Sequence, residues 1–367
     1  MTSPSQPEAT TQPADIVVHV FGRTDVGRTR EHNEDAFVVA DLTTLNATLQ
    51  PEVRTHRSGE RGSLFMVADG MGGAAAGEIA SSMAVEVVLD ELRKRWTSSP
   101  STDPETFASA LKTATESANA QIHRYASEHP ENRGMGTTAT IAGLLGNALY
   151  LAQVGDSRAY IVRDGVARQI TKDQSLMQKL IEAKELTEEE AERSDRRNII
   201  LQALGPEAQI KVDLTHQPVR RGDTLVLCSD GFSGQVRTDE MAKVVSSEPD
   251  LMTVCKRLID MANESGGPDN ITVVAARFDG DGLDLTVTGD TVGHRVFPVT
   301  GSNTPTMPVA RYVRRSETPT VPVTLAAVGE TREIAPRPRR ERGRAYATAI
   351  LLVALAVALL LYRQYAG

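Results

Sequence analysis

Cysteine is nearly absent from this chain of 367 residues, which contains only Cys228 and Cys255. Neither belongs to a CxxC pair, so a disulfide framework or a zinc site is not expected, and reduced thiols in a cytosolic domain are the default. Aromatic residues make up only 4% of the chain, with a single tryptophan. The core must therefore consist mainly of Val, Leu, Ile, Ala and Met.

An excess of positive charge is also missing, because the formal net charge is −8. Nucleic-acid-binding proteins usually carry a basic face, so we expect no nucleic-acid partner. The N-terminal sequence MTSPSQPEATTQPAD has neither the basic region nor the apolar region of a secretory signal peptide. Residues 1–15 are interpreted as a disordered N-terminus.

One long apolar run lies near the C-terminus, at residues 345–362, where no residue is charged. At about 1.5 Å per residue, this length covers roughly the hydrocarbon core of a bilayer and predicts a transmembrane helix. A buried soluble helix is the alternative, but such helices rarely lack a polar face. Basic residues precede the run and only Arg363 follows it, so everything before Ala345 is expected to be cytoplasmic and residues 363–367 to be a short extracytoplasmic tail. The preceding basic residues are Arg337, Arg339, Arg340, Arg342 and Arg344.

Hydrophobic periodicity is strong over residues 16–278, which are predicted to form one globular domain. Residues 279–344 are rich in Pro, Thr, Gly and Arg. They could bury little apolar surface, so we expect a mostly disordered tether there. A second, small β-rich module around residues 283–297 is the alternative for the start of this segment.

The predicted strands are many and short, and several adjoin through tight turns at Gly146-Asn147 and Asp164-Gly165. These turns favour antiparallel hairpins over a parallel sheet. Helical stretches come in pairs, one over 75–128 with a break near Pro100–Pro104, the other over 238–263 with a break at Pro249-Asp250. The predicted class is α+β, a sandwich of antiparallel sheets with helices outside.

Acidic residues stand at the ends of the apolar strands. Asp69 follows SLFMVA, Asp230 follows TLVLCS, Asp156 follows LYLAQVG, Asp269 precedes ITVVAARF, and Glu34-Asp35 precede AFVVA. For any one of them an ordinary turn is the simpler interpretation, and Asp164 is interpreted that way. As a group, carboxylates at neighbouring strand ends would repel one another and resist desolvation unless a cation compensates.

The donor set of this group consists of oxygen only, so Mg²⁺ or Mn²⁺ is favoured over Zn²⁺. Two such ions bridged by one aspartate would lower the pKa of a shared water and make it a nucleophile. Arg30 lies five residues before Asp35. Its planar guanidinium suits two phosphate oxygens, with a solvated surface arginine as the alternative.

Six motifs in order resemble those of the type 2C metal-dependent Ser/Thr protein phosphatases (the PPM family), in their bacterial form. They are RTREHNEDAF, MVADGMGG, GTTATIAGL, AQVGDSRAYIVRDG, LCSDGFSG and GGPDNITVVAARF, and the resemblance covers about residues 21–278. The resemblance implies two antiparallel sheets packed face to face and flanked by helix pairs. Because of the apolar run, the membrane-anchored form of the family is expected.

The resemblance also implies roles for individual residues. Asp35, Asp69 and the Gly70 carbonyl correspond to ligands of a binuclear centre, with Asp230 and Asp269 on its other side and Asp69 bridging. Glu34 corresponds to a ligand acting through water, and Asp156 with Asp230 to a third metal site. Arg30 corresponds to the phosphate-binding arginine, and Asn270 supports the loop that presents Asp269.

Three departures from the family pattern leave these ligands intact. Met71 stands where eukaryotic members have a histidine that acts as general acid, and bacterial members commonly carry Met there. Gln174 replaces a histidine, and Gly234 an acid, found in some relatives. The segment 173–205 resembles the family's flap, for which a role in substrate choice and a plain solvated hairpin both stay open.

The sequence therefore predicts hydrolysis of phosphoserine and phosphothreonine in proteins by a metal-bridging hydroxide, with two Mn²⁺ or Mg²⁺ ions and an implied third. Expected partners are phosphoprotein substrates, membrane Ser/Thr kinases whose action it counteracts, and the membrane itself. A catalytically silent membrane scaffold of the same fold is the main alternative. A third interpretation makes the Thr-Pro tether a phosphorylated docking arm. A cysteine phosphatase is disfavoured, since neither cysteine has a CxxxxxR context.

Overall fold

The computed structural model describes residues 15–47, 55–72, 76–194, 196 and 198–298. The predicted membrane span 345–362, the tail 363–367 and the tether from residue 299 lie outside the described residues, as do residues 1–14. Within the part of the chain that is described, no helix is long and apolar enough to cross a membrane.

Two antiparallel sheets form the centre of the fold. The first contains, in spatial order, β3 (Thr55–Arg57), β1 (Val17–Asp25), β12 (Ile271–Asp279), β11 (Thr224–Cys228), β8 (Arg158–Arg163) and β9 (Val166–Gln169). The second contains β10 (Asp213–Pro218), β7 (Ala148–Val154), β6 (Ala139–Leu145), β4 (Ser63–Met71) and β2 (Asp35–Asp41), with the short β5 (Gly136–Thr137) pairing with the end of β4.

The two sheets pack face to face over a core of aliphatic and phenylalanine side chains. Val18 of β1, Phe65 of β4 and Phe278 of β12 are fully buried there. The rings of Phe65 and Phe278 meet edge to face, with centroids 6.2 Å apart. β4 is buried on both faces, which explains why its sequence is apolar throughout rather than alternating.

Two helix pairs cover the outer faces of the sandwich. The second sheet is covered by α1 (Ala76–Leu92) and α2 (Pro104–Glu128), and the first by α6 (Thr238–Ser247) and α7 (Leu251–Glu264). Three short helices lie elsewhere, α3 (Leu176–Glu182), α4 (Glu188–Glu192) and α5 (Asp230–Ser233). α2 begins at Pro104 because the Asp103 carboxylate accepts from the backbone N–H of Thr106 at 2.8 Å.

These elements confirm the predicted α+β sandwich, including both helix pairs and both breaks between them. The predicted hairpins are present as well: β6 and β7 join through Gly146, and β8 and β9 join through Asp164 and Gly165. All three residues have positive φ, of 54°, 50° and 79°, as tight hairpin turns require.

Residues 280–298, here called the C-terminal strap, pack on the domain. Leu283 is 2% exposed and joins the core between the sheets. Val296 forms an antiparallel bridge with Thr215 of β10, and the Phe297 ring meets Tyr150 edge to face at 5.3 Å. Arg220 forms an ion pair with Asp290 of the strap, with Nε and Oδ2 2.7 Å apart.

The expectation of a disordered tether starting at residue 279 is therefore wrong for the strap. Its few apolar side chains complete a core that belongs to other elements, and a composition-based argument cannot detect this. The alternative of a β-rich module over 283–297 is closer, but the described residues there form one bridge to an existing sheet and no separate module.

Candidate active site

The first two predicted ligands face each other across neighbouring strands. Asp35 begins β2, Asp69 lies near the end of β4, and the register of the two strands places them directly opposite. Opposed residues of an antiparallel pair project from the same face, where two like charges repel each other. Strand pairing thus concentrates negative charge at one end of the second sheet.

Two hydroxyl groups from the other sheet hold the Asp35 carboxylate. Ser229 and Thr272 donate to its Oδ2 at 2.8 and 2.6 Å. Ser229 directly follows β11 and Thr272 lies at the start of β12, so both donors sit at the same end of the first sheet. Sequence reasoning missed these two residues, although each lies within three positions of a predicted aspartate.

Asp230 and Asp156 complete the acidic group. Asp230 is the first residue of α5, and Asp156 follows β7 through Gly155. Burial, and after it the negative charge of Asp230, raise the pKa of Asp156 to about 7. The pKa of Asp230 is also raised, first by burial and then by Asp269, while a hydrogen bond with the Asp69 side chain lowers it. The side chains of Asp69 and Asp230 therefore lie close together.

Burial and neighbouring negative charges also raise the pKa values of Asp35 and Asp69. Burial raises the pKa of Asp35 to about 7, against the opposing hydrogen bonds from Thr272 and Ser229. The pKa of Asp69 lies well above its ordinary value because of burial and then because of Asp35 and Asp230. Such a group cannot ionise fully near neutral pH unless a cation binds.

Two carboxylate oxygens in this group are buried and lack a hydrogen-bond partner among the described residues. They are Asp35 Oδ1 and Asp156 Oδ1. Buried polar atoms are normally satisfied, so an orphaned pair in an acidic cluster indicates a missing ligand. Since oxygen donors are the ones that Mg²⁺ and Mn²⁺ prefer, the residues present fit divalent cations of this type.

Asp269 lies close enough to Asp230 for its charge to raise the pKa of Asp230, and it also pairs with Arg30. A guanidinium nitrogen of Arg30 donates to Asp269 Oδ2 at 2.7 Å, and Asp269 Oδ1 accepts from the backbone N–H of Asn270 at 2.9 Å. Across the described ranges, no group of three or more His, Cys, Asp or Glu side chains is arranged to hold a metal ion. The role of Asp269 as a metal ligand therefore stays a prediction.

Glu34 and Gly70 lie beside the group. The backbone N–H of Gly70 donates to the Glu34 carbonyl at 3.1 Å. A Cβ atom on Gly77, at the start of α1, would stand 2.4 Å from Glu34 Oε2, so only glycine leaves room for this carboxylate. Burial raises the pKa of Glu34, and Arg30 opposes the rise.

Asn270 fixes the loop that carries Arg30 and Glu34. Its Oδ1 accepts from the Glu34 backbone N–H at 2.8 Å, and its Nδ2 donates to the carbonyls of Val26 and His32 at 3.0 and 2.9 Å. Asp269 is the neighbouring residue, so one amide side chain sets the position of Arg30, Glu34 and Asp269 together.

A buried acidic cluster between the ends of two sheets, with an arginine at its rim, is typical of hydrolases that act on phosphate esters with divalent cations. Comparison with known proteins identifies the group more narrowly. The chain belongs to the protein phosphatase 2C family, whose model matches residues 47–273, more than half of the sequence. The family and the enzyme class predicted from the sequence, a protein phosphatase, are thereby confirmed.

Individual relatives agree with this assignment. The serine/threonine phosphatase stp of Listeria monocytogenes is 37% identical over 262 residues, which cover 71% of this chain and 96% of that protein. The serine/threonine phosphatase of S. agalactiae is 31% identical, with a TM-score of 0.62 over 71% of this chain and 99% of that one. The catalytic domain of the phosphatase PstP, solved in complex with two manganese ions, is 34% identical, with a TM-score of 0.59 over 72% of this chain and 99% of that one.

Proposed function

We propose that this protein hydrolyses phosphoserine and phosphothreonine side chains in proteins, with Mn²⁺ or Mg²⁺ ions held by the acidic group. The observation that carries the proposal is the convergence of Asp35, Asp69, Asp156 and Asp230 at one site with two orphaned carboxylate oxygens. The manganese complex of the related PstP catalytic domain supports it. When bound, such ions supply a water of lowered pKa and neutralise charge on the phosphate oxygens.

The chain's own residues bind and orient the reactants. Asp69 lies opposite Asp35 and close to Asp230, so these three carboxylates would be among the residues that hold the ions. Ser229 and Thr272 fix Asp35 Oδ2 and leave Oδ1 free to coordinate. The half-exposed Arg30 guanidinium pairs with Asp269 through one nitrogen, and its planar group would donate two hydrogen bonds to the substrate phosphate.

The full-length protein, assayed on a phosphothreonine peptide with and without Mn²⁺, tests this proposal. Asp69→Asn removes the shared charge with little change of shape, so turnover should fall on the order of 10²–10³-fold with the fold retained by circular dichroism. Asp164→Asn is the matched control, because Asp164 occupies an exposed hairpin turn in a conformation that Asn also tolerates. Undiminished turnover in EDTA would refute metal dependence.

The same assay separates the enzyme from a silent scaffold of the same fold. A scaffold would bind phosphopeptides or partners without turnover at any Mn²⁺ concentration. All the acids that the resemblance requires are present in the chain, which favours the enzyme.

The membrane location is part of the proposal. The charge-free run at 345–362 and the arginines before it support an anchor with the catalytic domain on the cytoplasmic face. From there the enzyme would counteract membrane Ser/Thr kinases. Membrane fractionation of the full chain and of a chain ending at Arg344 provides the test. Equal release of both proteins into the soluble fraction would refute the anchor.

A further inference from the structure

Two antiparallel segments, here called the neck, connect the flap (residues 173–205) to the rest of the domain. Ser175 forms an antiparallel bridge with Ile200, and the N–H of Leu201 donates to the carbonyl of Gln174 at 2.8 Å. The helices α3 and α4 lie beyond this neck. Both ends of the flap therefore meet at Gln174.

Gln174 also forms hydrogen bonds with the loop that carries Asp156. Its backbone N–H donates to the Gly155 carbonyl at 2.9 Å, and its side-chain Oε1 accepts from the Gly155 N–H at 3.0 Å. The same Oε1 accepts from Nε2 of Gln202 at 2.8 Å. Gln202 in turn pairs with both backbone polar groups of Lys211, at 2.7 and 2.8 Å. One oxygen atom thus joins the returning strand of the flap to the Asp156 loop.

Gly155 packs closely against Thr138. Its φ is +100°, and a Cβ atom at this position would stand 2.7 Å from Thr138 Cγ2. The loop is therefore confined between Thr138 on one side and Gln174 on the other. Asp156, the next residue, is 7% exposed, and its Oδ1 is one of the two orphaned oxygens.

We infer that Gln174 is a positioning residue that couples the flap to Asp156, and through Asp156 to the affinity of the divalent ion beside Asp230. This inference rests on the proposed function for the identity of the ion. Side chains that orient metal ligands commonly change metal affinity about 10- to 100-fold when they are removed. Gln202, on the returning strand of the flap, hydrogen-bonds to Gln174. The affinity for the divalent ion therefore depends on the position of the flap.

The test is a Mn²⁺ titration of the full-length protein by isothermal titration calorimetry, without substrate. In Gln174→Ala the weakest Mn²⁺ site should lose about tenfold in affinity, and in Gln202→Ala the same site should weaken in the same direction. The matched control is Gln178→Ala, a flap glutamine whose side chain pairs with Glu182 and should leave the isotherm unchanged. Asp156→Asn should abolish the weakest site and so identify it.

Hydrogen exchange of the metal-free protein gives a second readout. The Gly155 amide donates a hydrogen bond to Gln174 Oε1. Its hydrogen should exchange faster in Gln174→Ala, while Gln178→Ala leaves it protected. A purely structural role would lower the unfolding midpoint in urea without changing the Mn²⁺ isotherm, and that result would overturn the inference.

Three further outcomes would also overturn it. These are a wild-type protein without a weak site at millimolar Mn²⁺, an Asp156→Asn variant that keeps this site, and a Gln202→Ala variant with the wild-type isotherm. If Gln174→Ala does not fold, Gln202→Ala decides alone. A wild type that shows the expected isotherms but hydrolyses no phosphothreonine would refute the proposed function and leave the coupling in place.

Discussion

Arg30 has two competing partners at the scale of single residues. In the structure it pairs with Asp269 at 2.7 Å, whereas the sequence predicts that it binds substrate phosphate. Asp269 accepts from one guanidinium nitrogen of Arg30, so a cation that replaces this pairing would leave that nitrogen to a phosphate. Arg30 would be occupied by Asp269 before metal binds and available to the phosphate afterwards.

Replacing Arg30 distinguishes its interaction with Asp269 from its predicted interaction with the substrate phosphate. Arg30→Ala should lower kcat/KM about 10- to 100-fold, since a hydrogen bond to a charged group is worth about 1.5–3 kcal/mol. Mn²⁺ binding by calorimetry should not weaken, because Asp269 loses a competitor. Arg28→Ala removes an equal charge two residues away from an exposed position and is the matched control. Weaker Mn²⁺ binding together with unchanged kcat/KM in Arg30→Ala would contradict this assignment.

At the scale of elements, the strand pattern of the sequence predicts where the acidic residues lie. It predicts less well which residues they contact. The apolar runs that end at Asp69 and Asp230 are strands, and their ends converge as an antiparallel sandwich requires. The hydroxyls of Ser229 and Thr272 could not be assigned, because their function depends on a carboxylate in the other sheet, more than 190 residues away. The turn of Asp269 toward Arg30 depends on the same long-range packing.

The C-terminal strap yields a stability prediction. Leu283→Ala should lower the free energy of unfolding by about 2–5 kcal/mol, because the side chain is 2% exposed in the core between the sheets. Leu285→Ala, at a position that is 66% exposed, should change it by no more than about 0.5 kcal/mol. Urea unfolding of the two full-length variants measures the difference. Equal midpoints would show that the strap does not contribute to the core.

The strap also sets where a truncated domain should end. A chain that stops at Asp279 loses Leu283, the ion pair between Arg220 and Asp290, and the bridge at Val296. A chain that stops at Pro298 keeps all three. Only the longer form is expected to unfold at the same urea concentration as the full chain.

For the whole molecule, the acidic group makes stability depend on pH and on metal. Burial raises the pKa of Asp35 and of Asp156 to about 7, from an ordinary value of 3.8. Between these pH values the folded state keeps protons that the unfolded state has lost. Its stability is therefore favoured at the low end of this window and decreases as the pH rises toward 7, by up to about 1.4 kcal/mol per pH unit for each carboxyl.

Urea unfolding in EDTA between pH 5 and 7.5 checks this dependence. The free energy of unfolding should fall with rising pH in the wild type, fall less in Asp156→Asn, and fall as in the wild type in Asp164→Asn. Saturating Mn²⁺ should remove most of the decrease, because bound cations stabilise the ionised carboxylates. The same slope for wild type and Asp156→Asn in EDTA would contradict the prediction.

The sequence by itself determined the features that depend on neighbouring residues. Strand periodicity, the glycine and aspartate turns, the helix breaks at Pro100–Pro104 and Pro249, and the placement of acids at strand ends are all local patterns, and the six motifs added the family. These patterns were sufficient for the sandwich and for the placement of acidic residues at the strand ends.

Only the tertiary structure decided what those residues contact. It paired Asp269 with Arg30, brought Ser229 and Thr272 to Asp35, folded the strap onto the core, and joined Gln174 to both Gln202 and Gly155. Each of these contacts depends on how strands and loops from separate parts of the chain pack. A hydrogen bond or an ion pair forms only where that packing brings donor and acceptor within about 3 Å, which a local pattern does not specify.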